Sequence, residues 1–127
     1  MYITGTSDSD GMTSGFNDIF TFKFNPETGT GVWGVYLGNL ATNNEAANDI
    51  VVSPDMKSVY VVGVSDFVGL VFGATDILMV RFDAMTGKIG FMITIGGEIY
   101  DEGISLAVRD GKALMTGNSQ SNVITVS

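Results

Sequence analysis

Neither cysteine nor histidine occurs among the 127 residues of the chain. Disulfides, thiolate nucleophiles and cysteine zinc sites are therefore excluded, and the commonest general base and metal ligand is missing with them. Positive charge is also scarce. Six Lys and Arg stand against 14 Asp and Glu, and a formal net charge of -8 repels both a phosphate backbone and an anionic lipid face. Neither nucleic acid nor membrane insertion is expected of this chain. It has no run of about eighteen apolar residues that would span a bilayer as a helix, and two prolines against 17 glycines exclude a collagen-like chain. A Gly-x-Ser-x-Gly elbow and a phosphate loop of the Gly-x-x-x-x-Gly-Lys type are likewise absent. Met1-Tyr2-Ile3-Thr4-Gly5 reads as a strand and carries no secretory signal pattern.

What is present is 45% apolar residues, enough for one globular domain, organised as an internal repeat. Tyr2-Ile3-Thr4-Gly5-Thr6-Ser7 returns as Tyr60-Val61-Val62-Gly63-Val64-Ser65 and again as Leu114-Met115-Thr116-Gly117-Asn118-Ser119. In the same register, Asp18-Ile19-Phe20-Thr21-Phe22-Lys23-Phe24-Asn25 matches Asp76-Ile77-Leu78-Met79-Val80-Arg81-Phe82-Asp83, and Thr28-Gly29 matches Thr86-Gly87. Trp33 then falls on Phe91 and Gly38 on Gly96, and with a one-residue slip Glu45 falls on Glu102.

Each period holds short runs rich in Val, Ile, Phe, Tyr and Thr, bounded by Gly, Asn, Asp or Ser, which predicts strands rather than helices. In the order A to D, strand A covers Asp49 to Ser53 and Ser105 to Arg109. Strand B covers Tyr2 to Thr6, Val59 to Val64 and Ala113 to Gly117. Strand C covers Asp18 to Asn25, Asp76 to Asp83 and Asn122 to Val126, and strand D covers Val32 to Leu37 and Gly90 to Ile95, ten strands in all. Asn25-Pro26-Glu27-Thr28-Gly29 and Asp83-Ala84-Met85-Thr86-Gly87 place a glycine where a hairpin needs positive φ. Along strand C, Ile77, Met79 and Arg81 point one way and Leu78, Val80 and Phe82 the other, so both faces are largely apolar and each demands a covering sheet.

A Tyr-x-x-Gly-x-Ser strand, a Gly-rich loop containing Asp66-Phe67, Asp-Ile-Phe-x-x-Lys-Phe-Asn, a Thr-Gly turn, an aromatic strand ending in Gly and an acidic corner follow one another. Together they resemble the SBBP-type β-propeller repeat over almost the whole chain. Two places depart from that pattern: Asn39-Leu40-Ala41 replaces the second glycine retained at Gly97, and the last B to C loop is short. The resemblance implies an all-β partial propeller of about two and a half four-stranded antiparallel blades. Residues 1–46 would form a partial blade, 47–97 a complete one and 103–127 a second partial one. It also implies a binding or structural module of secreted or surface-attached proteins, with no catalytic residues to inherit. A ring needs at least four blades, about sixteen strands, so ten strands are expected to be completed by further blades or by other chains.

Several residues invite a chemical role. Asp8 and Asp10, in Asp8-Ser9-Asp10-Gly11, resemble the start of a calcium loop, but the remaining ligands are missing and a solvated turn is the simpler expectation. No cofactor is expected apart from calcium at this loop. Asn44-Glu45 and Asp101-Glu102 recur at the D to A corner and suit side-chain to backbone bonds or a cation. Lys23 and Arg81 share a repeat position and are expected to snorkel or to pair with Asp18, Asp76, Glu45 or Glu102 rather than to bind an anion. Phe16, Phe67 and Phe72 sit in the long B to C connections, where they could stack on sugar rings or pack on the sheet edge. Trp33 and Phe91 read as core, and Gly5, Gly63 and Gly117 as structural repeat positions. The expected function is a non-catalytic scaffold for protein or carbohydrate contacts. A structural subunit of a large assembly, or a piece of a propeller glycosidase or lyase using paired carboxylates, are the alternatives.

Overall fold

The computed structural model describes residues 1–8, 17–38, 44–66, 75–122 and 125–126, and all the regular structure among them is β. The strands are β1 (Tyr2–Ser7), β2 (Asp18–Phe24), β3 (Gly31–Leu37), β4 (Glu45–Val52), β5 (Ser58–Ser65), β6 (Asp76–Asp83), β7 (Ile89–Gly96), β8 (Asp101–Arg109), β9 (Lys112–Ser119) and β10 (Thr125–Val126). They form three antiparallel sheets, none of which closes on itself. The first is β1-β2-β3, the middle one runs β4-β5-β6-β7 with β10 added outside β7, and the third is the β8-β9 hairpin.

Repeat positions pair in the same register in the first two periods. Tyr2 lies opposite Lys23 as Tyr60 lies opposite Arg81, and Lys23 opposite Trp33 as Arg81 opposite Phe91. The two Thr-Gly turns are alike: Asn25 Oδ1 accepts the Glu27 N–H at 2.9 Å, and Asp83 Oδ1 accepts those of Met85 and Thr86 at 3.0 and 2.8 Å. Gly29 and Gly87 then take φ of 71° and 74°, the left-handed region that a side chain would strain.

Strand A is longer than the sequence pattern indicates, starting at Glu45 and Asp101 instead of Asp49 and Ser105. A bulge hides the first half. The register slips between Ala47 and Asp49 and between Gly103 and Ser105, so one extra residue in each strand, Asn48 or Ile104, breaks the period-two alternation. The glycines of strand B face these bulges. A Cβ on Gly63 would collide with the Ala46 carbonyl oxygen, and one on Gly117 with that of Glu102. Among the described residues Gly5 belongs to a sheet without a strand A, and the nearest atoms to a Cβ there are those of the Phe20 ring, at 2.7 Å.

Two other expectations are corrected. Glu45 corresponds structurally to Asp101, not Glu102, since Glu45 pairs with Ser65 and Asp101 with Ser119. The C-terminal residues do not form a strand C beside β9. Thr125 and Val126 pair instead with Gly96 and Ile95 on the free edge of β7. Ser121 explains the route: its hydroxyl donates to Asp101 Oδ2 at 2.8 Å and accepts the Ile99 N–H at 3.0 Å. The chain is thereby anchored at the β7–β8 corner, where an unpaired strand edge is available.

The core lies on both sides of the middle sheet. On one face Val59, Val61, Leu78, Val80, Phe82 and Ala84 are buried against Ile19, with Trp33, Val35 and Leu37 of the first sheet packed beside them. On the other, Tyr60, Val62, Ile77 and Met79 meet Leu106, Val108, Ala113 and Met115 of the third. The alternation along β6 is the one the sequence predicts, and each fully buried Val, Leu or Phe contributes about 1.5–3 kcal/mol relative to exposure. Gly63→Ala is expected to destabilise the chain by about 1–3 kcal/mol through backbone overpacking, and Gly5→Ala by less, because an aromatic ring can shift where a carbonyl cannot. Urea unfolding of the two variants measures the difference; equal midpoints would contradict the bulge as the reason for glycine.

Candidate functional site

At one end of the sheets the first and middle sheets interlock on a single carbonyl. Ala84, in the β6–β7 turn, is 1% exposed, and its N–H donates to Lys57 O at 2.9 Å. Its oxygen receives the Tyr2 hydroxyl at 3.1 Å, the Lys23 ammonium at 2.7 Å and the Trp33 indole N–H at 3.3 Å. Lys23 Nζ also stands 5.4 Å from the centre of the Tyr2 ring, and Trp33 packs against Tyr2 and Phe82 at 5.9 and 6.1 Å. Lys23 thus donates to a backbone oxygen rather than to Asp18 or Glu45. Asp18 opens β2 and Lys23 lies five residues along it, a separation of roughly 16–17 Å. Asp76 and Arg81 are separated in the same way on β6, and Arg81 Nε donates to Ser58 Oγ at 2.9 Å. Phe91 is 36% exposed rather than core.

The opposite end gathers acid. Asp18 and Asp76, at the starts of β2 and β6, are each 4% exposed, and their carboxylates lie against Gly38 and Gly96, where no Cβ would fit. Glu45 and Asp101 complete two equivalent corners. The Glu45 N–H donates to Asn17 O at 2.8 Å and that of Asp101 to Thr75 O at 2.9 Å, which ties the start of each strand A to the sheet before it. Ser65 Oγ donates to Glu45 Oε1 at 3.2 Å, while Glu45 Oε2 is buried without a hydrogen-bond partner. Asn44 spans the corner to the Asp66 carboxylate through both its backbone N–H and its Nδ2.

The two corners titrate differently. Burial pushes the Glu45 carboxyl up to about 7, against the lowering effect of Ser65 and helped by the charges of Asp18 and Asp66. Burial likewise raises Asp76, with Asp101 nearby adding to it. Burial also acts upward on Asp101, but donors from Ser119, Ser121 and the Gly97 N–H outweigh it and hold that carboxyl below its ordinary range. Glu45 can therefore exchange a proton near neutrality within the junction of two sheets.

A third feature is the outward face of the first sheet. Ile3, Phe20, Phe22, Phe24 and Tyr36 share it, with ring centres 5.5 Å apart for Phe20–Phe22, 6.0 Å for Phe22–Phe24 and 5.5 Å for Phe22–Tyr36. Ile3 is 41% and Tyr36 37% exposed, and the three phenylalanines are half-buried. Strict alternation in strand C signals this row in the sequence, whereas the carbonyl of Ala84 leaves no signal because a backbone atom is the acceptor.

Of the residues singled out from the sequence, Phe16, Phe67, Phe72 and Asp10 lie outside the described residues. Asp8 is exposed just beyond β1. Among the described residues no group of three or more carboxylates is placed to hold a metal ion. No protein-family model, curated protein or solved structure matches the chain.

Glu45 binds a proton more tightly folded than unfolded, with the folded value about 7 against an ordinary 4.5. Its contribution to stability is complete below pH 4.5 and declines as pH rises through 7, by roughly 3 kcal/mol. Glu45→Gln is expected to flatten that decline, so that urea midpoints at pH 5 and pH 8 converge; an unchanged pH profile in the variant would contradict the assignment.

Proposed function

We propose that the chain is a non-catalytic repeat scaffold of the propeller type, resembling SBBP repeats, whose outer faces receive further sheets or a protein or glycan partner. The observation that carries this reading is the equivalence of an open face to a covered one. Ile3, Phe20, Phe22 and Phe24 occupy the register positions of Val61, Leu78, Val80 and Phe82, which the first sheet buries to 1, 4, 0 and 0% exposure. A face built to the same apolar pattern and left half-exposed suits the same kind of cover. Such modules of secreted or surface-attached proteins are the setting that the resemblance suggests, with no nucleic acid or membrane insertion. A subunit within a larger assembly is the same physical proposal with the covering sheet on another chain.

The paired carboxylates support a structural role over glycoside chemistry. Asp18 with Glu45, and Asp76 with Asp101, are each at most 4% exposed and sit at corners where the backbone N–H groups of Glu45 and Asp101 join neighbouring sheets, which leaves little surface for a sugar ring.

Size-exclusion chromatography with light scattering tests the open face. The chain is expected to associate beyond the mass of a single copy at tens of micromolar, and Phe22→Asp to return it to a monomer with an unchanged circular dichroism spectrum. A well-folded monomer at every concentration would overturn the proposal.

A further inference from the structure

The grip on the Ala84 carbonyl is repeated between the middle and third sheets around an open space. Tyr60 and Arg81 occupy the positions of Tyr2 and Lys23 and are cross-strand partners in the same way. Tyr2 and Lys23 close on one oxygen at 3.1 and 2.7 Å, whereas Tyr60 and Arg81 line a cavity of about 450 Å³ with Ser58, Val108, Asp55 and Asp110. Small-molecule sites occupy roughly 300–1,000 Å³. Among the described residues no oxygen takes the place of the Ala84 carbonyl. The Tyr60 hydroxyl makes no hydrogen bond there, and Arg81 makes one, from Nε to Ser58 Oγ at 2.9 Å, which leaves its two Nη groups free. Tyr60 is 8% exposed, and an unmatched donor so far from bulk water favours a ligand that brings an acceptor.

We propose that this cavity binds small monocarboxylates with an apolar body. The carboxylate would accept from the Arg81 Nη groups with both oxygens and from the Tyr60 hydroxyl with one of them, and the apolar part would pack on Val108. The change from lysine to arginine sets this ligand apart from a backbone carbonyl. Lys23 carries a compact charge that matches the single oxygen of Ala84. A guanidinium is planar, and with Nε fixed on Ser58 the remaining N–H groups of Arg81 form a fork suited to the two oxygens of one carboxylate.

Charge limits the ligand to a single carboxylate. The Ser53 hydroxyl and the Lys57 N–H hold Asp55 below the ordinary carboxyl range, and Asp110 pairs with Arg109 at 3.5 Å. These two acids balance Arg81 and Arg109 in the lining. A monocarboxylate meets one free cationic fork, whereas the second charge of phosphate or succinate has nothing to meet it. The site is independent of how the outer face of the first sheet is covered, because none of its lining residues belongs to that sheet.

The isotope-labelled full chain can be titrated with sodium isovalerate, against matched sodium chloride, and followed by amide correlation NMR spectra. Saturable shifts are expected at the amides of Ser58, Tyr60, Val108 and Gly111 and not at those of Ile3 and Phe22. Isovaleramide, the neutral analogue, is expected to bind about tenfold more weakly, a comparison that leaves the protein untouched. Arg81→Lys, which keeps the charge and loses the fork, is expected to weaken isovalerate binding about three- to tenfold. Tyr60→Phe, which keeps the ring, is expected to weaken it about threefold, and the dispersion of each variant's spectrum reports its folding. The absence of saturable shifts, equal affinity for acid and amide, or parental affinity in both folded variants would overturn the proposal. So would tighter binding of phosphate or succinate than of isovalerate, or shifts centred on the first sheet.

Discussion

A sheet whose two faces are both apolar cannot be stable alone in water, and the middle sheet is of this kind. Val59, Val61, Leu78, Val80 and Phe82 line one side, and Tyr60, Val62, Ile77 and Met79 the other. Alternation along a strand sends neighbouring side chains to opposite faces, so two consecutive apolar sets require two covers. The first and third sheets provide them, and most of the burial in the molecule follows from that requirement.

Contacts at the strand ends set how the covers sit. At one end three donors from the first sheet converge on the Ala84 oxygen. At the other, the starts of β4 and β8 are tied to the residues before β2 and β6. Apolar burial is non-directional, whereas these bonds have fixed geometry and specify the register between sheets. The buried carboxylates at the second end titrate differently from one another. Glu45 and Asp76 are raised and Asp101 is lowered, because only Asp101 has enough donors to offset its burial.

The same device used twice explains why the two sides of the middle sheet differ. Tyr2, Lys23 and Trp33 have a turn to grip, while Tyr60, Arg81 and Phe91 have no such turn among the described residues, where the third sheet is a single hairpin. Phe91 is consequently more exposed than its repeat position suggests, and Arg81 turns to Ser58 for its hydrogen bond.

The sequence by itself determined most of the strands, the two Thr-Gly turns and the two-sided burial of β6, since these depend on period-two alternation and on the φ preferences of Gly29 and Gly87, which are local properties. The bulges at Asn48 and Ile104, the pairing of β10 with β7 and the correspondence of Glu45 with Asp101 were decided by tertiary structure. So were the partners of Lys23 and Arg81, because a carbonyl oxygen or a strand edge has no residue type to mark it. Such acceptors exist only once separate segments meet, and a repeat read along the chain gives residue positions without the distances between them.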